Sequence, residues 1–83
     1  MSTLPDPSTD PNIYTIYGID GCGYTKKARK LLPSANYVNI ENYMTRLDFQ
    51  YKMRPRIGNF LTVPVIFKGQ TFIGGYNELS KMF

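Results

Sequence analysis

The hydrophobic pattern changes period between Tyr17 and Tyr24, and that change constrains the fold more than any other feature. Ile13-Tyr14-Thr15-Ile16-Tyr17 is rich in β-branched and aromatic residues, which predicts a strand ended by Gly18. After the loop Ile19-Asp20-Gly21, the residues Tyr24, Ala28, Leu31 and Leu32 fall at i, i+4, i+7 and i+8. That spacing predicts one apolar helical stripe, with the helix stopped at Pro33. Tyr37-Val38-Asn39-Ile40 then predicts a second strand. Strand, helix and strand in so short a span require parallel strands joined by a right-handed crossover.

Downstream, Met44, Leu47 and Tyr51 recur at helical spacing, and Phe49 and Met53 blur the face. A second helix is expected from Thr45 to Met53. Pro55 disfavours helix at Arg54, so residues 54–62 are expected to be loop or broken turn. The apolar runs Val63-Pro64-Val65-Ile66-Phe67 and Thr71-Phe72-Ile73, joined by Lys68-Gly69-Gln70, predict a β-hairpin. Tyr76, Leu79 and Phe83 predict a short closing helix. The order β-α-β-α-β-β-α gives an α/β domain, a four-stranded mixed sheet with helices on both faces. Residues 1–12 hold three of the six prolines among Ser, Thr, Asp and Asn, which reads as a flexible leader before a domain at 13–83.

Composition narrows the chemistry. The 83 residues support one small domain. One cysteine and no histidine exclude an internal disulfide, a zinc-finger ligand set and a Cys-His catalytic pair. There is no run of 18 apolar residues to span a membrane. The first residues lack the features of a signal peptide, so a cytoplasmic location is expected. The net charge is +4, and all ten bases lie in residues 13–83. No nucleic-acid motif accompanies them, so the charge points to solvated helix faces or to anionic small molecules and partners.

Three features can carry chemistry. Cys22 follows a strand and a glycine-bearing loop at the start of a basic helix, where free N–H groups and the helix dipole favour a thiolate. Lys26 and Lys27 add to this. Asp20 opposes it unless its carboxylate caps the helix. Pro64 inside an apolar run must sit at a strand start, an edge or a bend, and base rates favour a trans bond. Gly74-Gly75 permits positive φ or close approach of a ligand, with N–H groups at Tyr76-Asn77 facing an anion.

Taken together, Cys22-Gly23-Tyr24-Thr25 after the first strand, Thr62-Val63-Pro64 before the hairpin and Gly74-Gly75-Tyr76 before the last helix resemble the glutaredoxins. The resemblance spans residues 13–83. It implies a thioredoxin-like fold, glutathione as cosubstrate and Cys22 as the reactive thiol. It further implies a glutathione site made of Tyr24, Thr25, Thr62, Val63, Pro64, Gly75, Tyr76 and Asn77. In it Val63 pairs its backbone with the cysteinyl unit beside a cis-Pro64, and Gly75, Tyr76 and Asn77 receive the γ-glutamyl carboxylate.

The chain departs from that pattern in two places. Thr25 stands where many members have a second cysteine, so a hydroxyl can hydrogen-bond a thiolate but cannot resolve a disulfide. Ile19 stands where a basic residue commonly clamps the glycyl carboxylate, and Lys27, Arg54 and Arg56 are the alternatives. The leading expectation is a monothiol, glutathione-dependent thiol transferase that reduces protein–glutathione mixed disulfides as a monomer. Its partners are then glutathione and glutathionylated proteins, with neither nucleic acid nor membrane involved. One alternative is a homodimeric carrier of a [2Fe–2S] cluster, ligated by two Cys22 thiolates and two glutathiones. Another is a non-catalytic glutathione-binding module. No metal is expected unless Cys22 binds that cluster.

Overall fold

The computed structural model describes residues 3–83. Its elements are β1 (Tyr14–Gly18), α1 (Gly23–Leu31), β2 (Asn36–Asn39), a 3-10 turn (Ile40–Asn42), α2 (Arg46–Ile57), β3 (Val65–Lys68), β4 (Thr71–Gly74) and α3 (Tyr76–Ser80). The strands form one four-stranded sheet in the order β2-β1-β3-β4. β1 and β2 are parallel, as the crossover requires, and β3 runs antiparallel to both β1 and β4. This is the mixed sheet that the change of hydrophobic period predicts.

Alternation along the strands divides the core. Tyr17, Val65 and Phe67 point to one face, where they meet Phe49, Met53 and Ile57 of α2. Ile16 and Ile66 point to the other, where they meet Ala28 of α1 and Leu79 of α3. On the α2 face Tyr17 packs tilted against Phe49 and edge-on against Phe67, with ring centroids 5.5 and 5.9 Å apart.

Three expectations need correction. The buried line of α1 holds Thr25 and Ala28, while Tyr24 and Leu31 are exposed; only part of the Tyr24-Ala28-Leu31-Leu32 stripe faces the sheet. The four bases do face solvent. α2 does not stop before Pro55 but runs to Ile57 with the proline inside. Met53 and Ile57 are both buried, so the core holds the last turn helical. The missing Pro55 donor leaves only the carbonyl of Tyr51, an exposed residue where water can take its place. At the other end α3 is one short turn, with Leu79 buried and Phe83 exposed.

The described part of the leader has neither helix nor strand, yet it packs onto the domain. Leu4 is buried in the α2-side core. The Tyr17 hydroxyl donates to the Pro5 carbonyl at 2.7 Å, and Gln70 Nε2 donates to the carbonyls of Pro7 and Ser8 at 2.7 and 3.1 Å. Arg56 reaches both Gln70 and Asp6. Gly69 accommodates this path, since a Cβ there would sit 2.7 Å from Pro11 Cα. Composition pointed to a flexible leader because a proline-rich segment offers no repeating face. One leucine and a few backbone carbonyls are enough to dock it.

Candidate functional site

Cys22 is the N-cap of α1, with extended backbone. Its carbonyl accepts from Lys26 N–H at 3.1 Å, and its own N–H donates to Ile19 O at 3.2 Å. The sulfur therefore sits over the first turn, whose N–H groups have no helical acceptor. Burial pushes the thiol up. The Thr25 N–H, the Thr25 hydroxyl, the Tyr24 N–H and the charge of Arg46 act the other way and prevail, holding the thiol below its ordinary value. In the neutral form the thiol makes a long contact to Val63 O, at 4.0 Å.

Thr25 acts from below. It is buried, and its hydroxyl has no partner at hydrogen-bonding geometry while the sulfur is protonated. It gains an acceptor when Cys22 ionises, which is the sense of its effect on the thiol. Its place depends on Gly18: a Cβ on that residue would lie 2.5 Å from Thr25 Oγ1 and 2.6 Å from Cγ2.

The sulfur opens into a groove of about 440 Å³. One wall is Thr62, Val63 and Pro64, and the Val63–Pro64 peptide is cis, as the resemblance implies and against the base rate for X–Pro bonds. The other wall is Gly75, Tyr76, Asn77 and Glu78 at the start of α3, with Tyr24 beside it. Gly74 adopts φ 135°, open to glycine, and a Cβ on Gly75 would lie 2.9 Å from the Phe60 ring. The Gly75 N–H donates to Glu78 Oε1 at 2.7 Å, so that group is engaged by the helix's own glutamate. The Tyr24 and Tyr76 rings stack obliquely, 5.9 Å between centroids.

Of the residues expected in a glutathione site, Tyr24, Thr62, Val63, Pro64, Gly75, Tyr76 and Asn77 line this groove with Cys22. Thr25 does not line it; it supports the sulfur from within. Ile19 lines it as an aliphatic residue. None of the three suggested substitutes for a basic clamp lines the groove. Lys27 Nζ sits over the Tyr24 and Tyr76 rings at 5.3 and 5.8 Å, Arg54 is exposed on α2, and Arg56 serves the leader. The cation in the groove is Arg46, the first residue of α2, which sequence reasoning missed. Lys26 and Lys27 were expected to favour the thiolate, but the cation that does so is Arg46.

A thiol held at a helix start over a groove, on a four-stranded sheet of this order, defines a thioredoxin-like protein of thiol–disulfide chemistry. A sequence model of the glutaredoxin family matches residues 13–73, and the chain belongs to that family. It is similar to the reduced glutaredoxin of Escherichia coli, with 30% identity over 83% of this chain and 89% of that chain and a TM-score of 0.67. The fold is shared with the dithiolic glutaredoxin of Trypanosoma brucei brucei, at 22% identity over 89% of this chain and 79% of that chain, TM-score 0.73. It is shared also with the holo form of glutaredoxin C1 from Populus tremula x tremuloides, at 22% identity over 88% and 75%, TM-score 0.72. Comparison with curated protein sequences gives no match.

Proposed function

We propose that this glutaredoxin is a glutathione-dependent thiol transferase working through Cys22 alone, with protein–glutathione mixed disulfides as substrates. The Cys22 thiolate attacks the glutathione sulfur. The Cys22–glutathione disulfide forms, the bond from glutathione to the protein cysteine breaks, and the departing thiolate takes a proton from water. A second glutathione thiolate then attacks the glutathione sulfur on Cys22. Glutathione disulfide leaves, and the Cys22 thiolate is restored. Each turnover oxidises one glutathione thiol as the protein sulfur is reduced, and it releases one glutathione disulfide and one protein thiol. Exchange of this kind needs a thiolate and an accessible sulfur, not a second cysteine.

The observation that carries this reading is the groove itself. It combines a thiol favoured as thiolate, the loop segment Thr62-Val63-Pro64 before β3, the α3 start and one cation, Arg46. An anionic peptide with a central sulfur matches those parts. Its cysteinyl backbone would pair with Val63, and its carboxylates would face Arg46 at one end and the N–H groups of Tyr76 and Asn77 at the other.

The test is reduction of a small glutathione mixed disulfide, coupled to recycling of glutathione, with wild type and Cys22→Ser. Wild-type turnover that falls to background in the variant supports the proposal. The same protein is reconstituted anaerobically with iron, sulfide and glutathione, and its visible spectrum and mass in solution are recorded. A coloured dimer with negligible transferase turnover would sink the transferase reading in favour of a cluster carrier. Glutathione binding with neither turnover nor colour would leave a binding module.

A further inference from the structure

Asp20 lies two residues before Cys22, and its carboxylate threatens the thiolate in two ways. It repels the sulfur's negative charge, and it competes for the same free N–H groups at the start of α1. In the structure Asp20 makes no hydrogen bond to the start of α1. α1 has no side-chain cap. Ile19 and Cys22 line the groove, and Asp20 between them does not. Instead Asp20 Oδ1 accepts a 2.7 Å hydrogen bond from the Tyr37 hydroxyl on β2. The Arg29 guanidinium, in the last turn of α1, stacks 3.9 Å from the Tyr37 ring centre. A tyrosine on the edge strand thus joins the loop before the thiol to the helix after it.

We propose that Tyr37 is a positioning residue for Cys22, with Arg29 fixing its ring: it draws the Asp20 carboxylate to the β2 edge and leaves the α1 start to the sulfur. The proposal concerns the thiol and holds whichever disulfide the groove accepts. The Tyr37 phenol stays protonated throughout, held up first by burial and then by its hydrogen bond to Asp20, so it remains a donor across the range in which a thiol ionises. Other groups facing Cys22 are already placed. Arg46 of α2 lies in the groove, Glu78 of α3 is tied to the Gly75 N–H, and Lys27 of α1 is over the Tyr24 and Tyr76 rings.

The test is the pH profile of Cys22 alkylation by iodoacetamide in four proteins: wild type, Tyr37→Phe, Asp20→Asn and the double variant. Phenylalanine keeps the ring and its stacking and removes only the donor. With Asp20 released, the apparent Cys22 pKa is expected to rise by roughly half a unit, which lowers alkylation below the pKa about two- to threefold. Above the pKa, where every sulfur is already ionised, the rate is not expected to fall. Asp20→Asn in the Tyr37→Phe background is expected to restore the wild-type profile, because the amide carries no charge. A merely structural role for Tyr37 would slow or speed alkylation at every pH and would not be cured by a change at Asp20. An unshifted profile in Tyr37→Phe, or a shifted one that Asp20→Asn leaves in place, overturns the proposal. Thermal unfolding of each variant confirms that folded protein is compared. The readout needs no glutathione, so its failure is separable from failure of the transferase reading.

Discussion

The sheet face under α2 buries the apolar residues Leu4, Tyr17, Val38, Ile40, Phe49, Met53, Ile57, Val65 and Phe67, whereas the apolar cluster buried under α1 and α3 is Ile16, Ala28, Ile66 and Leu79. The heavy face holds the interlocking aromatic rings and the docked leader. The light face carries the starts of α1 and α3, which border the Cys22 groove together with Arg46 at the start of α2. A core of small and medium residues keeps α1 and α3 close to the sheet, and their starts present N–H groups toward the groove. The difference teaches where stability and chemistry reside. Apolar burial on one face supports the sheet, and the other face can leave a thiol and a tyrosine pair in contact with solvent.

The comparison breaks most visibly at Phe49. Phe49→Ala empties the centre of the heavy face and is expected to cost about 3–5 kcal/mol, enough to remove most of the stability of so small a domain. Urea unfolding measures the loss. The folded fraction should keep the wild-type alkylation profile of Cys22, because Phe49 does not border the groove. A shifted profile would mean that the two faces are not separable.

Leu79→Ala is the matching cut on the light face. About 2–3 kcal/mol is expected, toward the low end for a buried leucine because a one-turn helix can settle into the space. Here stability and activity should fall together, since α3 borders the groove through Tyr76 and Asn77. An activity loss no larger than the unfolded fraction explains would contradict that coupling.

Gly18→Ala has a smaller effect on stability and acts on the thiol. The new methyl group would meet the Thr25 side chain at 2.5 Å, and displacing it is expected to cost about 1–3 kcal/mol. Thr25 is also a donor that favours the thiolate. The variant should therefore alkylate more slowly near neutral pH, with the loss vanishing at high pH. Alkylation at wild-type rates in the folded variant would show that Thr25 does not support the sulfur.

How much of this was legible in the sequence follows from the range of each signal. Element order and sheet type rest on local periodicity, and the changes at Cys22 and at Val63 are unambiguous. The extent of α2 is not local: Pro55 speaks against helix, and the burial of Met53 and Ile57 overrules it. Leu4 is a lone apolar residue in a polar segment, without a period to mark it. Cys22, Thr62-Val63-Pro64 and Gly75-Tyr76-Asn77 could be grouped because a family pattern orders them, although they are distant in sequence. Arg46 belongs to no such pattern. It enters the groove because α2 begins there, capped by Thr45, whose hydroxyl accepts from the Asp48 N–H at 3.1 Å. A Thr-x-x-Asp start was readable; the wall it would reach was not. For Asp20, sequence allowed either a cap or an opposing charge, and the partner it found is across the sheet edge at Tyr37.

Arg46, at the start of α2, supplies the smallest effect and the sharpest test of whether the thiol is tuned from outside its own helix. Its charge favours the Cys22 thiolate, so its removal must move the thiol pKa upward. Arg46→Met keeps the length of the side chain and removes the charge. Since Cys22 ionises by losing a proton, a higher pKa means less thiolate near neutral pH and no change above both pKa values. The site is open to solvent, so screening limits the shift to a few tenths of a unit and the neutral-pH rate loss to about twofold. Raising the salt concentration should shrink the gap between wild type and variant, because the interaction is between exposed charges. Glutathione gives a second reading: if Arg46 also meets a carboxylate of the cosubstrate, its KM rises in the variant by more than the change in thiolate explains. A shift without the KM effect would assign Arg46 to the thiol alone. Identical profiles at low and high salt would remove Arg46 from the electrostatics of Cys22 and leave the start of α1 as their source.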